Sequence, residues 1–215
     1  MSGPAGEKIH KDTIISHYCD SHESRKGISQ IQPGIQTVKH RLRGTDAEIK
    51  YRIFTSKIDK ILLAKTDRGV CSIIIGADED ILFSSLHKQF PHATLGGSAG
   101  LQPEIDSINH YLDGGLLDMP VDIYGTEFQV KVWTAINAIP YGETKSYSEL
   151  AEEIGMPTAY RAVANVCGAN PVPLIIPCHR VVGKNGHLGG YGPGIDKKKF
   201  LLELEKKNKD SNKGN

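Results

Sequence analysis

The stretch Ser146–Cys167, SYSELAEEIGMPTAYRAVANVC, decides the fold of the second half of this chain. Ser146 followed three residues later by Glu149 is a capping box, in which hydroxyl and carboxylate satisfy the orphan amides of a helix start. It predicts a helix over Tyr147–Ile154, stopped by Gly155. After Met156-Pro157, Thr158 reads as the cap of another helix, Ala159 to about Cys167. Two short helices joined by a three-residue turn containing glycine make a helix-turn-helix. Upstream, Thr126 with Gln129 is a second capping box and opens a helix that ends before Pro140. Phe128, Val132 and Ala135 line one side of it, and Val130 and Trp133 widen that side. Downstream, Val181–Leu188 carries Asn185-Gly186 at its centre, a hairpin signature that would serve as a wing. Asp196 caps a last helix with Phe200, Leu201 and Leu204 inward, and the lysine-rich end from Lys206 is expected to fray.

The first half has a different pattern. Ile49, Tyr51 and Ile53 alternate with polar residues, the period of a half-buried strand. Lys60–Thr66 and Val70–Ile75 are apolar runs separated by Asp67-Arg68-Gly69, a hairpin. Ile81, Leu82, Leu86 and Phe90 have helical spacing, ended by Pro91, and Glu104–Leu112 is another short helix closed by Gly114-Gly115. Val121–Tyr124 reads as a short strand. The expected organisation is a polar, flexible tail over 1–45, a small α/β domain over 46–117, a helix-turn-helix domain over 118–206 and a disordered basic tail over 207–215. No chemistry is visible in the small α/β domain.

Composition narrows the function classes. The chain has 215 residues, 39% hydrophobic and 24% charged, with a net charge of +1. That is an ordinary globular balance and excludes a generally basic nucleic-acid binder. Residues 61–119 are net acidic, an unlikely face for a polyanion, whereas 1–60 are net basic. No apolar run reaches the length of a membrane span, and the N-terminus has no export signal. The four cysteines, Cys19, Cys71, Cys167 and Cys178, form no CxxC pair and read as reduced thiols of a cytoplasmic or nuclear protein. His17, Cys19 and His22 lie close together, but a zinc site usually draws ligands from two separated places.

The chemistry concentrates in Asn170–Val182, NPVPLIIPCHRVV. Cysteine is among the most buried residue types, so Cys178 after Leu-Ile-Ile reads either as a small core hydrophobe or as a nucleophile. His179 beside it supplies the base a thiol needs, reached through a bridging water, and Glu205 on the last helix is a candidate to orient the imidazole. Taken singly, Tyr147 reads as a packing residue, Arg161 as a solvated helix residue and Glu205 as a surface ion-pair partner. A papain-like thiol hydrolase and a non-enzymatic binder are the competing functional readings. The first would need an oxyanion hole and a distant histidine, and Cys178 argues against the second.

Ile176-Pro177-Cys178-His179-Arg180-Val181-Val182, with Asn170-Pro171 upstream and Gly189-Gly190-Tyr191 downstream, resembles the O6-alkylguanine-DNA alkyltransferases. The resemblance extends through Phe128-Gln129 and Trp133, Ile139-Pro140, Gly142-Glu143-Thr144, Ser146-Tyr147, Arg161-Ala162-Val163 and Leu201-Leu202 with Glu205, covering residues 120–205. Ile49–Gly76 is similar to the first unit of that family, especially the form at the C-terminus of the bacterial adaptive-response regulator. The resemblance implies an α/β protein whose antiparallel-sheet domain precedes a mainly helical, winged helix-turn-helix-like domain carrying the reactive cysteine. It implies DNA repair by direct reversal, with one irreversible transfer of a methyl or other alkyl group from O6-alkylguanine, and from O4-alkylthymine, after nucleotide flipping. The implied catalytic set is Cys178 as nucleophile, His179 as its base through water, Glu205 holding His179, and Tyr147 assisting protonation of the leaving guanine. The implied DNA contacts are Arg161, the finger that refills the stack, with Tyr147, Ser148, Ala162 and Asn170, and Val181 and Tyr191 would line the guanine pocket. Asn170 would also tie the helix-turn-helix to the cysteine segment. The implied partner is double-stranded DNA, bound by a monomer with no membrane contact. Zinc ligands of some relatives have no counterparts here, so neither metal nor cofactor is expected.

Overall fold

The computed structural model describes residues 48–212, with side chains up to Asp210. The expected N-terminal tail and the His17, Cys19 and His22 cluster lie outside the described residues. Strands β1 (Glu48–Thr55), β2 (Lys60–Lys65) and β3 (Val70–Ile75) form an antiparallel meander with β2 in the middle. The β2–β3 turn sits at Asp67-Arg68-Gly69 as the sequence predicts. Glycine is required there because a Cβ on Gly69 would stand 2.7 Å from the carbonyl oxygen of Pro120. Ile61–Ala64 is apolar at consecutive positions because both faces of β2 are covered. Ile61 and Leu63 enter the main core, while Leu62 and Ala64 enter a smaller one with Leu82 and Leu86.

Helix α1 (Glu79–Gln89) starts on Asp78, whose carboxylate accepts from the amides of Asp80 and Ile81. Leu82 and Leu86 turn inward as expected, but Ile81 is 62% exposed. One residue from Leu82 is a rotation of about 100° on a helix, so both cannot share the buried stripe. A strand the sequence does not signal, β4 (Thr94–Gly96), lies parallel to β1, giving the order β3-β2-β1-β4. The sheet is therefore antiparallel with one parallel edge. Helix α2 (Gln102–Leu112) starts at Gln102 rather than Glu104, with Pro103 in its first turn, and buries Ile105, Ile108, Tyr111 and Leu112.

The free edge of β3 receives the second half of the chain. The Val70 amide donates to the Pro120 carbonyl (2.9 Å), the Asp122 amide donates to the Val70 carbonyl (2.8 Å), and the Ile73 amide donates to the Pro171 carbonyl (2.9 Å). Val121–Tyr124 is thus not a strand but an extended segment with one parallel bridge, Val70 to Val121. Asp122, buried there, accepts from Thr66 Oγ1 at 2.6 Å and from Arg68 at 3.1 and 3.2 Å. In α3 (Glu127–Asn137) the Thr126–Gln129 capping box is reciprocal, as read from the sequence. Its buried seam is Val132, Trp133 and Ile136, with Phe128 and Ala135 at the margin.

β5 (Lys145–Ser146) leads into α4 (Tyr147–Glu153), and the Ser146–Glu149 capping box is formed in full. The connection to the next helix departs from expectation. Proline fixes φ near −65°, which suits the start of a helical turn, and Pro157 opens a 3₁₀ turn, Pro157–Ala159, before α5 (Tyr160–Gly168). Ala159 occupies the cap position without a side-chain bond, so Thr158 is not the cap and the turn is longer than three residues. The wing hairpin is not a ladder either. β6 (Val181–Val182) pairs in parallel with β5. The following loop closes on single backbone bonds, Gly183 amide to His187 carbonyl at 2.6 Å and Gly186 amide to Gly183 carbonyl at 2.9 Å. Four glycines over 183–190 weaken any second strand there.

Helix α6 (Ile195–Asn212) corrects three expectations. Asp196 lies inside its first turn rather than at the cap. Phe200 is 37% exposed, and the residues turned inward are Lys198, Leu201 and Glu205. The helix also continues past Lys206 to Asn212, so 207–212 are helical rather than tail. Asn208 closes against Gly114 and Lys209 pairs with Glu143 at 2.8 Å, which ties the last turns down.

Candidate active site

Residues 172–182 are all buried. The chain doubles back within this segment, where the Ile176 amide donates to the Val172 carbonyl at 3.0 Å. Leu174 at the bend has φ +80°, a left-handed conformation that costs a non-glycine residue about 1–2 kcal/mol. The buried leucine, held between prolines 173 and 177, keeps that strain in place. Cys178–Arg180 then form one 3₁₀ turn leading into β6. Asn170, just past α5, controls the segment. Its Nδ2 donates to Cys178 Sγ at 3.1 Å and to the Ile176 carbonyl at 2.8 Å, and its Oδ1 accepts from the Val172 amide at 3.1 Å. The expected link between helix-turn-helix and cysteine is therefore present.

Cys178 is 6% exposed. Burial pushes its thiol pKa up, while the Asn170 donor on sulfur and the Lys198 charge push it down. Cys71 and Cys167 have no such donor, and burial drives both up to about 12. They are buried core thiols, as expected.

His179 and Glu205 are fully buried and meet at 2.9 Å, Nε2 to Oε1. Burial pulls the imidazole below its ordinary value, against the opposing pull of Glu205. Burial alone would raise the Glu205 carboxyl. The hydrogen bonds and charges of His179 and Arg180 overcome it and hold that carboxyl well below the usual range. At neutral pH the pair is a carboxylate and a neutral imidazole. His179 Nδ1 is buried with no hydrogen-bond partner, so it carries a free lone pair if Nε2 holds the proton.

Tyr147 stands in the first turn of α4, half-buried, with its hydroxyl pushed up first by burial and then by Cys167 and Cys178. Ser148 beside it reaches Ser146 Oγ at 3.0 Å. Tyr191 stacks edge-on to His179 with ring centroids 6.4 Å apart, and its hydroxyl is buried without a partner. Val181 is fully buried next to this turn. Arg161 and Ala162 lie on the exposed face of α5, and the Arg161 guanidinium rests over Tyr160 at 5.7 Å. The chain thus brings Cys178, His179, Glu205, Asn170, Val181 and Tyr191 into one cluster, with Tyr147 at its edge, sets Arg161 and Ala162 on an outer face, and leaves Ser148 half-buried beside Tyr147.

Sequence reasoning missed four contributors. Arg180 forks onto Glu205 at 2.9 Å from both Nε and Nη2 and donates from Nη1 to the Ile139 carbonyl at 2.7 Å. Its place in the motif could have flagged it. Gly142 (φ +70°) donates its amide to Glu205 Oε2 at 2.9 Å, and a Cβ there would crowd the Lys209 side chain and the Glu205 carbonyl. Lys198, buried on α6, donates to the carbonyls of Val181 (2.6 Å), Leu188 and Gly190, tying the wing loop to β6. Tyr111 reaches the cluster from α2, so the small α/β unit does carry part of the site. Nothing local in sequence marks these last three. Among the described residues, no group of three or more His, Cys, Asp or Glu could hold a metal ion, and no helix is long and apolar enough to cross a membrane.

The chain is similar to known proteins over most of its length. The profile of the 6-O-methylguanine DNA methyltransferase DNA-binding domain matches residues 127–207. The bifunctional transcriptional activator/DNA repair enzyme Ada of Escherichia coli is 39% identical over 210 residues, covering 95% of this chain and 58% of that protein. The inducible methylated-DNA–protein-cysteine methyltransferase of Bacillus subtilis is 43% identical over 151 residues, covering 67% of this chain and 83% of that protein. The OGT of Mycobacterium tuberculosis, solved in complex with DNA, superposes with a TM-score of 0.63 at 39% identity, covering 74% of this chain and 94% of that one. The chain spans 50%, 58% and 63% of the length of three curated relatives it matches.

Proposed function

Because this chain belongs to the 6-O-methylguanine DNA methyltransferase family, we propose that it repairs DNA by moving a methyl or other alkyl group from guanine O6 onto Cys178, once per molecule. One observation carries this reading. A single buried thiol receives a hydrogen bond from Asn170 and adjoins a neutral imidazole whose Nδ1 is unpaired and whose Nε2 is tied to Glu205. The thiol proton passes to His179 Nδ1 through a water. Sγ then attacks the alkyl carbon, the C–O6 bond breaks, and its electron pair stays with guanine. Guanine takes up a proton, which Tyr147 is placed to pass. A thioether remains on Cys178. No thiol can exchange it as it would a disulfide, so the protein is consumed.

O6 is buried in a duplex, so the nucleotide leaves the stack at a cost of a few kcal/mol. Arg161, exposed on α5, refills the gap. Ala162 lets the helix approach the minor groove closely, Tyr147 and Ser148 meet the backbone of the flipped nucleotide, and Val181 and Tyr191 line the base pocket. The substrate is double-stranded DNA, with O4-alkylthymine a second target, and the protein acts as a monomer. The test is mass spectrometry after mixing with O6-methylguanine duplex. One methyl increment per chain is expected on the peptide holding Cys178, absent in Cys178→Ala. Repeated turnover, or label on Cys71 or Cys167, refutes the reading.

A further inference from the structure

We propose that Tyr111 is a positioning residue for alkyl transfer: its hydroxyl, committed as a donor to Glu205, turns its oxygen to His179 Nε2 and favours the imidazolium formed as Cys178 ionises. The inference rests on the reading of Cys178 as nucleophile.

The proton positions follow from what each group has to give. Glu205 is ionised, since both its oxygens accept from Arg180 and one also from the Gly142 amide. It has no proton to offer, so in the 2.6 Å contact Tyr111 is the donor. Burial first, and then the Glu205 charge, push the phenol well above its ordinary value, so it keeps that proton. A phenol has one hydrogen. In its other contact, 3.1 Å to His179 Nε2, its oxygen must therefore accept and Nε2 must donate. The same Nε2 hydrogen faces Glu205 Oε1 at 2.9 Å, a three-centre bond. Two acceptors on one side fix the proton on Nε2 and leave the lone pair on Nδ1, the buried ring atom without a partner. Only that tautomer leaves His179 Nδ1 free to accept a proton.

The surroundings keep Tyr111 in place. It is 1% exposed, its ring meets Tyr141 edge-on at 6.4 Å, and α2 supplies it from outside the helix-turn-helix. The charged and titratable groups facing the Tyr111–His179 pair are Glu205 and Lys198 from α6, Arg180 and Cys178 from the 3₁₀ turn, Tyr191 from the loop after β6 and Tyr141 from the loop after α3. Tyr111 offers His179 a neutral acceptor, where Arg180 and Lys198 both oppose a positive imidazole.

The experiment compares the wild type and Tyr111→Phe, which keeps the ring. The single-turnover rate of methyl transfer from O6-methylguanine duplex is measured from pH 6 to 10. At pH 7 a loss of about tenfold is expected, the usual weight of one hydrogen bond to a charged group. The apparent pKa of the rate profile should rise by about one unit, and the loss should fade at high pH, where solvent removes the thiol proton. A profile parallel to the wild type, or an unchanged rate, overturns the proposal. A second measurement needs no variant. Nitrogen NMR of wild-type histidines should show His179 as the Nε2–H tautomer at pH 7.5, and an Nδ1–H tautomer overturns the proposal even if Tyr111→Phe does not fold. Mass spectrometry of the wild type separates the two levels. Label away from Cys178 removes the functional reading itself, whereas label on Cys178 with parallel profiles removes only Tyr111.

Discussion

Replacing Glu205 by Gln should cost the fold as well as the chemistry. The carboxylate is fully buried. Oε1 accepts from Tyr111 (2.6 Å), His179 (2.9 Å) and Arg180 (2.9 and 3.2 Å), and Oε2 accepts from the Gly142 amide (2.9 Å) and Arg180 Nε (2.9 Å). Every one of those contacts is a donor pointing at oxygen. A glutamine has the same shape but turns an NH2 toward one set of donors and leaves Arg180, 4% exposed, as a buried cation without a carboxylate. Breaking one side of a buried pair costs about 3–5 kcal/mol, against a total stability of about 5–15 kcal/mol. For a domain of this size each kcal/mol moves Tm by about 2–4 °C, so Glu205→Gln should melt roughly 10 °C lower. Urea unfolding followed by far-UV circular dichroism should show a lower midpoint with an unchanged slope. Methyl transfer, measured well below both melting points, should also slow, while affinity for DNA, which the proposed function assigns to α5, should be retained. The folded carboxyl is held below its ordinary value of 4.5, so its contribution is present above that pH and lost below it. The gap between wild type and variant should accordingly narrow below about pH 4. A variant that melts within a degree or two of wild type at pH 7.5 would falsify the assignment of Glu205 as the hub of this network.

Three further outcomes are expected. His179 is held below its ordinary 6.5, so the unfolded chain takes up a proton that the folded site refuses. Wild-type stability should fall below about pH 6.5 more steeply than that of His179→Gln, and equal slopes in urea titrations would count against a neutral buried imidazole. Arg161→Ala should slow transfer from duplex DNA far more than transfer from free O6-benzylguanine, which needs no flipping. Equal losses on the two substrates would show that Arg161 is not a finger. Methylated Cys178 should lower Tm by several degrees, because overpacking a close-packed site costs about 1–3 kcal/mol and the Asn170 bond to sulfur is displaced. Thermal melting before and after quantitative reaction, with the DNA removed, checks this, and an unchanged Tm would refute it.

The parts of the fold that were legible in sequence are those with a local cause. Both capping boxes, the Gly69 turn and the alternation of Ile49, Tyr51 and Ile53 depend on neighbours in the chain, and each formed as read. The misses depend on distant partners. Hydrophobicity alone turns Phe200 inward, but the inner face of α6 is set by Lys198 and Glu205, which serve the site. The 181–188 hairpin lost to a parallel pairing with β5, a strand too short to show any period. Within the site, Cys178, His179 and Asn170 were visible because they share one segment. Tyr111 was not, because an i, i+3 apolar stripe on α2 explains a buried tyrosine without its hydroxyl.

The buried polar groups around Cys178 are hard to account for as stabilisers. A buried ion pair such as Arg180–Glu205 is often no better than apolar residues of the same volume, and a buried lysine such as Lys198 costs desolvation. Their arrangement makes sense by what it leaves over. Among the described residues, three buried side-chain polar atoms lack a partner: Glu104 Oε2, His179 Nδ1 and Tyr191 OH. Glu104 lies on α2 and pairs through its other oxygen with Lys65. The remaining two both belong to the cluster around Cys178. Native interiors seldom leave such atoms unpaired, and when they do a catalytic or binding role is one of the few explanations. Glu205, itself held by Arg180 and Gly142, and Tyr111 occupy Nε2 of the imidazole, so the ring atom left free is Nδ1, the one the proposed proton transfer would use. Tyr191, edge-on to the same ring, leaves its hydroxyl free beside it.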